Sequence, residues 1–439
     1  MIGRGYLSAA VRGIGVAGRK LAGDRTEKAE FANASSGAAG LSHRLGYRLQ
    51  NSRYTELSFP HHTLSSLMRL EAPPRWVRLL YFNDQPTPWR LDGAAIAATA
   101  AIGDGYTPMG ADGRSAPGLW QRATFGSGPG DDDPLDREPS DIRCLELPAN
   151  PRESGRPVLA FSDWIPVAGP ERIDGPGSLL LVRSHARGRV RFSGSVGLPD
   201  PAIGQVHRGH WFSGDATAEP FAGTATADNT IFACYGVQTI AAAAGATVIG
   251  IGDSIVHSSC TTGELSGFGI RACSAISRPS RPVSYVNEGY PGRNSTGFIW
   301  NGAWTIRNLA PQIALIQTWT QNEDWSRTAA DMAFSRAIGL ADLARRHGCV
   351  PVLVTAAPVF AGQSEFDAHR LHNVELVRSA GRTGIRVLDL DRLWGTGEVP
   401  NRYRDDCGCG DGMHPSDAGC ARVAEVLAPM LEEILACSG

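Results

Sequence analysis

The spacing of apolar positions changes character near Thr239–Gly245. Before that point apolar residues come in short runs broken by Gly, Pro and Asp, as in Trp76–Phe82, Pro157–Val167, Ser178–Arg183 and Arg189–Val196. In the last run Val190, Phe192 and Val196 lie two or four apart, the period of a strand with one buried face. The stretch Gly126–Pro139 (GSGPGDDDPLDREP) has almost no apolar content and reads as a loop. Residues 46–238 are therefore expected to form an all-β accessory domain, a sandwich of jelly-roll type, after a weakly structured tail over residues 1–45.

After Gly245 short apolar runs alternate with helical stretches. Strands are expected at Ala246–Ile251, Val283–Asn287, Ile313–Trp319, Pro351–Thr355 and Ile385–Leu390. Helical spacing runs through Met332, Ala333, Ala337, Leu340, Ala341 and Ala344, and again through Leu371, Val374, Val377 and Ala380. A last helix starts near Ser416, an N-cap candidate, and contains Pro429. Strands separated by helices build a parallel sheet covered on both faces, so residues 246–439 read as an α/β domain with three αβα layers, flavodoxin-like. Ligands bind such folds at the carboxyl ends of the strands.

Composition narrows the function. Gly and Pro make up about 18% of the chain against a usual sum near 12%, in keeping with a turn-rich first half. The formal charge of -2 offers no basic excess for nucleic acid. No run of about 18 apolar residues predicts a membrane span. Met1–Ala22 is broken at Arg4, Arg12 and Gly13, so no clear signal peptide is expected, and the compartment stays open. Nine cysteines in 439 residues are not a disulfide framework, although seven fall at or after Cys260.

Four blocks after the strands can carry chemistry. Gly252-Asp253-Ser254 follows the first strand of the α/β half; Asp411-Gly412-Met413-His414-Pro415 precedes the last helix. A histidine acts as base on a serine when a carboxylate fixes its tautomer, and an aspartate three residues earlier can curl back to do so. Asn287-Glu288-Gly289-Tyr290-Pro291-Gly292-Arg293-Asn294-Ser295 follows the second strand, and Thr318-Trp319-Thr320-Gln321-Asn322-Glu323 the third. A glycine N–H and an asparagine amide are donors for a developing oxyanion. Each block alone is an ordinary turn.

Their order, Ser, Gly, Asn, His, resembles the SGNH (GDSL-type) hydrolase superfamily of esterases and lipases, over about 190 residues from Ala246 onward. The resemblance implies Ser254 as nucleophile, with His414 and Asp411 completing the triad. It implies an oxyanion hole from the Ser254 N–H, the Gly292 N–H and the Asn322 side chain, with Gly289 as the competing glycine. It implies two-step acyl transfer with no metal or organic cofactor. Two departures stand out: Thr320-Gln321-Asn322-Glu323 replaces the usual Gly-x-Asn-Asp, and Ile255 replaces a common Leu. A β domain ahead of such a hydrolase resembles several carbohydrate esterases, so an O-acetyl group on a saccharide is the expected substrate. The rivals are a lipase, thioesterase or general carboxylesterase, and a carbohydrate-binding or surface protein with a vestigial hydrolase domain.

Cys407, Cys409, His414 and Cys420 lie within 14 residues and raise a zinc alternative, against which Cys-x-Cys spacing counts. Pairing of one of these cysteines with Cys260 or Cys437 is equally open. His257 is expected on a helix surface, and His369 and His372 share a helix without a Glu partner. Trp300, Trp304, Trp319 and Trp325 line an acyl or sugar pocket or pack in the core.

Overall fold

The computed structural model describes residues 42–437, except 49–53, 58–60, 71, 84–87, 105, 127–139, 149–157, 168–177, 188–189, 194–207, 218–224, 228–233, 235, 242, 244, 263–265 and 359–366. Most of the expected tail and nearly all of the Gly126–Pro139 loop lie outside these residues.

The first half holds strands β1 (Ser42–Arg48), β2 (Tyr54–Leu57), β3 (His61–Leu70), β4 (Pro74–Asn83), β5 (Trp89–Thr99), β6 (Gln121–Arg122) and β7 (Leu145–Leu147). It continues with β8 (Val158–Phe161), β9 (Ile165–Pro166), β10 (Ser178–Arg187), β11 (Val190–Ser193), β12 (Arg208–Ser213), β13 (Thr226–Ala227) and β14 (Gly236–Ala241). One antiparallel sheet runs β1-β14-β4-β8, with β9 also on β4. A larger one runs β13-β12-β3-β10-β5-β6, with β7 on β5. β11 pairs with β2 alone. β1 begins at Ser42, inside the segment expected to be tail, because its backbone completes the ladder of β14.

The two larger sheets share one apolar core. Val77, Leu79 and Tyr81 of β4 meet Leu64 and Met68 of β3, Ile96 of β5, and Leu180 and Val182 of β10. This is strand alternation at work, since residues two apart share a face. Leu80, on the other face of β4, joins a different cluster with Phe161, Ile249, Ile251 and Val286. Arg78 shares that second face and is buried. Its Nε donates to Gln238 Oε1 at 2.5 Å, and its guanidinium lies 4.4 Å from the Phe161 ring centroid.

The second half alternates β15 (Ala246–Gly252), α1 (Ser254–His257), α2 (Phe268–Ile276), β16 (Val283–Gly289), α3 (Ser295–Leu309), β17 (Ile313–Gln317), α4 (Arg327–Arg346) and β18 (Val350–Val354). It ends with α5 (Asp367–Arg382), β19 (Arg386–Leu388), α6 (Leu390–Trp394) and α7 (Asp417–Cys437). The five strands are parallel in the order β16-β15-β17-β18-β19. β15 is therefore the strand at which connections reverse direction, where α/β folds open a crevice.

Alternation again decides the layers. Val248, Tyr285, Leu315 and Val352 face α2, α6 and α7. Ile249, Val286, Ile316 and Leu353 face α3, α4 and α5. Helix ends follow side-chain rules: Ser416 Oγ accepts the Gly419 N–H at 3.0 Å, and Ser326 Oγ that of Ala329 at 3.1 Å. The third strand stops two residues before its expected end, at Gln317, whose Nε2 donates to the Trp319 carbonyl.

The Tyr285 ring occupies space left by Gly250 and Gly269; a Cβ on Gly269 would collide with it. The Tyr285 hydroxyl is buried and has no hydrogen-bond partner among the described residues. Overpacking a filled core costs about 1–3 kcal/mol, whereas removing an unpaired buried hydroxyl is nearly neutral. Urea denaturation is expected to show Gly269→Ala less stable by about 1–3 kcal/mol, and Tyr285→Phe unchanged or slightly more stable.

Candidate active site

Ser254 sits on the turn that leaves β15 at the switch strand. Asp253 caps the helix that follows, its Oδ1 accepting the Ile255 N–H at 2.8 Å. The Asp253 N–H in turn donates to Gln317 Oε1 at 3.0 Å. All four residues of α1 are buried. Gly289 explains why: a Cβ there would run into the His257 backbone and the Asp253 carbonyl, so only glycine lets β16 approach α1 so closely. His257 is thereby buried rather than on a helix surface, with Nδ1 2.9 Å from Ser259 Oγ.

The structure brings Ser254, His414 and Asp411 together. His414 Nε2 lies 2.8 Å from Ser254 Oγ, and His414 Nδ1 lies 2.5 Å from Asp411 Oδ2. Asp411 Oδ1 also accepts the N–H groups of Met413 and His414 at 2.8 and 3.0 Å, which curls the loop back on itself. Burial pushes the Asp411 carboxyl up. Hydrogen bonds from His414, the Cys409 thiol and the two backbone N–H groups outweigh it and hold the carboxyl well below the usual range. An ionised Asp411 accepts from Nδ1–H, which leaves Nε2 free to accept the serine proton.

The loops that carry Gly292 and Asn322 meet the serine loop: the Tyr290 N–H donates to the Gly252 carbonyl at 3.0 Å, and Asn322 Nδ2 lies 3.4 Å from Asp253 Oδ2. Tyr290-Pro291-Gly292-Arg293 closes a turn through the Arg293 N–H and the Tyr290 carbonyl at 3.1 Å. Gly292 has φ +78°, the left-handed value that a Pro-Gly turn of type II requires at its third residue. Thus Gly289 is a close-packing glycine and Gly292 a turn glycine with open space beside it. Neither the Ser254 nor the Gly292 N–H has a hydrogen-bond acceptor among the described residues. The exposed Asn322 amide donates to the Arg293 carbonyl at 3.0 Å and to Thr320 Oγ1 at 2.9 Å.

Thr320, Gln317 and Asp253 are the residues that motif reading passed over. Thr320 stands where the related motif has glycine. Its hydroxyl donates to the buried Asp253 Oδ2 and accepts from Asn322, so it orients the amide. Burial pushes the Asp253 carboxyl up, and the donors from Thr320, Ile255 and Gln317 only partly offset this. Glu323 Oε1 accepts the Ser295 N–H at 2.5 Å and ties this loop to the start of α3. A serine or threonine immediately before an Asn-bearing turn was the available signal.

Other candidates fall elsewhere. Cys407 and Cys420 are buried in the apolar core beside α7, and both nitrogens of His414 face Asp411 and Ser254, so the four-residue zinc set is not assembled. Among the described residues the convergent donor group is instead Cys260, Cys409 and Asp411. His372 pairs with Asp331 of α4 at 2.7 Å. Trp319 is buried edge-on to Trp325 and belongs to the core, while Trp300 is 55% exposed.

The lowered Asp411 carboxyl has a sign that can be checked. Its ionised form stabilises the fold above the unfolded carboxylate range, about pH 4, and that contribution is lost as pH falls through the lower folded value. The difference in Tm between wild type and Asp411→Asn is expected to be largest near neutrality. It should shrink as melts are repeated down to about pH 3; a constant difference would contradict the assignment.

No protein-family model and no curated protein matches this chain. Solved structures are similar to it. A lipolytic protein of the G-D-S-L family from Desulfitobacterium hafniense has 15% identity and TM-score 0.36, covering 42% of this chain and 98% of its own. A GDSL-like lipase from Bacteroides thetaiotaomicron has 17% identity and TM-score 0.35, covering 43% and 88%. A Clostridium thermocellum family 3 carbohydrate esterase has 12% identity and TM-score 0.34, covering 44% and 100%. Two of these three structures are described as GDSL proteins and the third as a carbohydrate esterase.

Proposed function

We propose that this protein is a serine hydrolase of carboxylic esters. The observation that carries the reading is the array Asp411 Oδ2, His414 Nδ1, His414 Nε2 and Ser254 Oγ, with links of 2.5 and 2.8 Å. His414 takes the Ser254 proton as Oγ attacks the ester carbonyl. The oxyanion forms beside the Ser254 and Gly292 N–H groups, which have no partner to give up. Asn322 adds a third donor by exchanging one of its present hydrogen bonds. His414 then protonates the leaving alcohol, and water repeats the sequence on the acyl-enzyme. Asp411 holds the tautomer and balances the imidazolium charge.

The acyl group is read as short. The groups around the serine are polar: Arg293, Asn322, Thr320 and Asp411. An O-acetyl group on a saccharide fits that surrounding, and the antiparallel sheets are read as an accessory β-sandwich of jelly-roll type. The lipase or thioesterase reading, and that of a surface protein with a vestigial site, are kept as the outcomes of the test.

Hydrolysis of p-nitrophenyl acetate by wild type is expected, with Ser254→Ala and His414→Ala lower in kcat by at least about 10³-fold. Asn322→Ala should lose roughly 10²-fold. An inactive wild type would sink the reading in favour of a vestigial site. Preference for octanoyl over acetyl esters would replace the acetylesterase reading by a lipase or thioesterase.

A further inference from the structure

Two cysteines flank the carboxylate that holds His414. Cys260 Sγ lies 3.5 Å from Asp411 Oδ2, and Cys409 Sγ lies 3.0 Å from Asp411 Oδ1. The three donor atoms all lie within 4.8 Å of one another. Tetrahedral zinc, with Zn–S about 2.3 Å and Zn–O about 2.0–2.2 Å, sets sulfur and oxygen ligands about 3.5–3.7 Å apart. The Cys260–Asp411 spacing falls in that range.

The backbone presents these atoms from two loops. Cys260 has φ +76° and Ser258 φ +70°, left-handed values that cost energy in residues other than glycine. That strained turn carries Cys260 from the end of α1 out to Asp411. Cys409 is fixed from the other side, its N–H donating to the His414 carbonyl at 2.8 Å and its carbonyl accepting the Gly412 N–H at 3.0 Å. Cys260 and Asp411 reach solvent, so a cation has access, and solvent can fill a fourth position.

The geometry points to an inhibitory zinc site formed by Cys260 Sγ, Cys409 Sγ and the Asp411 carboxylate. Two thiolates select a soft divalent ion over calcium or magnesium. Binding releases the two thiol protons and leaves the serine, the histidine and the oxyanion donors in place. Its effect falls on Asp411 Oδ2, the oxygen that lies nearest Cys260 Sγ and also faces His414 Nδ1: a metal bound there draws on the electron density that accepts the Nδ1 proton, so the imidazolium that forms during acyl transfer is held less well. Turnover then drops while substrate binding is kept, so kcat falls and KM stays. This inhibitory consequence rests on the ester-hydrolase reading; metal binding itself does not.

Two measurements separate the parts. Co(II) added to the reduced full chain is expected to give a thiolate-to-cobalt charge-transfer band at one equivalent. The band should persist in Ser254→Ala and be lost in Cys260→Ser and Cys409→Ser. With p-nitrophenyl acetate, zinc should lower kcat at least tenfold, reversibly on chelation, without effect from calcium or magnesium. Cys260→Ser and Cys409→Ser should shift the zinc midpoint upward by at least roughly tenfold, and Cys144→Ser, an exposed control, should not. Absence of the cobalt band, its survival in either cysteine variant, or a Cys260–Cys409 disulfide that reforms in place of metal binding would overturn the site. A band without any esterase activity in the wild type would keep the metal site and remove only its inhibitory role.

Discussion

Asp253 is buried with no ion-pair partner among the described residues, and the arrangement around Ser254 follows from keeping it satisfied. A buried charge of this kind is tolerated only when donors converge on it. Here the donors come from two places: the Ile255 N–H of its own helix, and the loop after β17, which brings the Thr320 hydroxyl and, at 3.4 Å, the Asn322 amide. Meeting that one demand caps α1 and draws the Asn322 side chain toward Asp253, the residue before the serine. The Asp253 N–H is held by Gln317, so the strand beside β15 is bound into the same arrangement. The loop after β16 joins through the Arg293 carbonyl, which accepts from Asn322.

The same bonds account for threonine at 320, where the motif that the third block resembles has glycine. Threonine at 320 introduces a side chain where none is usual. That side chain is a hydroxyl with both a donor and an acceptor to offer, and it stands between the carboxylate and the amide. Glu323, one methylene longer than the usual aspartate, reaches the Ser295 N–H at the start of α3. The two departures are thus absorbed by hydrogen bonding to neighbouring loops.

The α/β half was legible because its cues are local. Apolar runs such as Ala246–Ile251 and helical spacing such as Ala333–Ala337–Leu340–Ala344 give the elements, and turn chemistry after each strand marks the blocks. The Asp411–His414 link is also local, three residues apart. What stayed illegible depends on contacts far apart in the chain. His257 looks like a surface residue until Gly289 lets β16 close over it. Cys260 and Cys409 are 149 positions apart, and nothing in either neighbourhood announces the other. Arg78 is covered by the Phe161 ring, and the run Trp76–Phe82 alone says nothing of that contact.

The junction between the two halves carries a mechanical consequence. β14 ends at Ala241 and β15 begins at Ala246, so four residues separate an inner strand of the antiparallel sheet from the strand that delivers Ser254. Leu80 and Phe161 are plugged into the same apolar layer as Ile249 and Ile251. No length of slack chain lies between them to absorb a displacement. A displacement of the antiparallel sheets is therefore passed along the backbone and through this shared layer into β15, and arrives at the turn that carries Ser254.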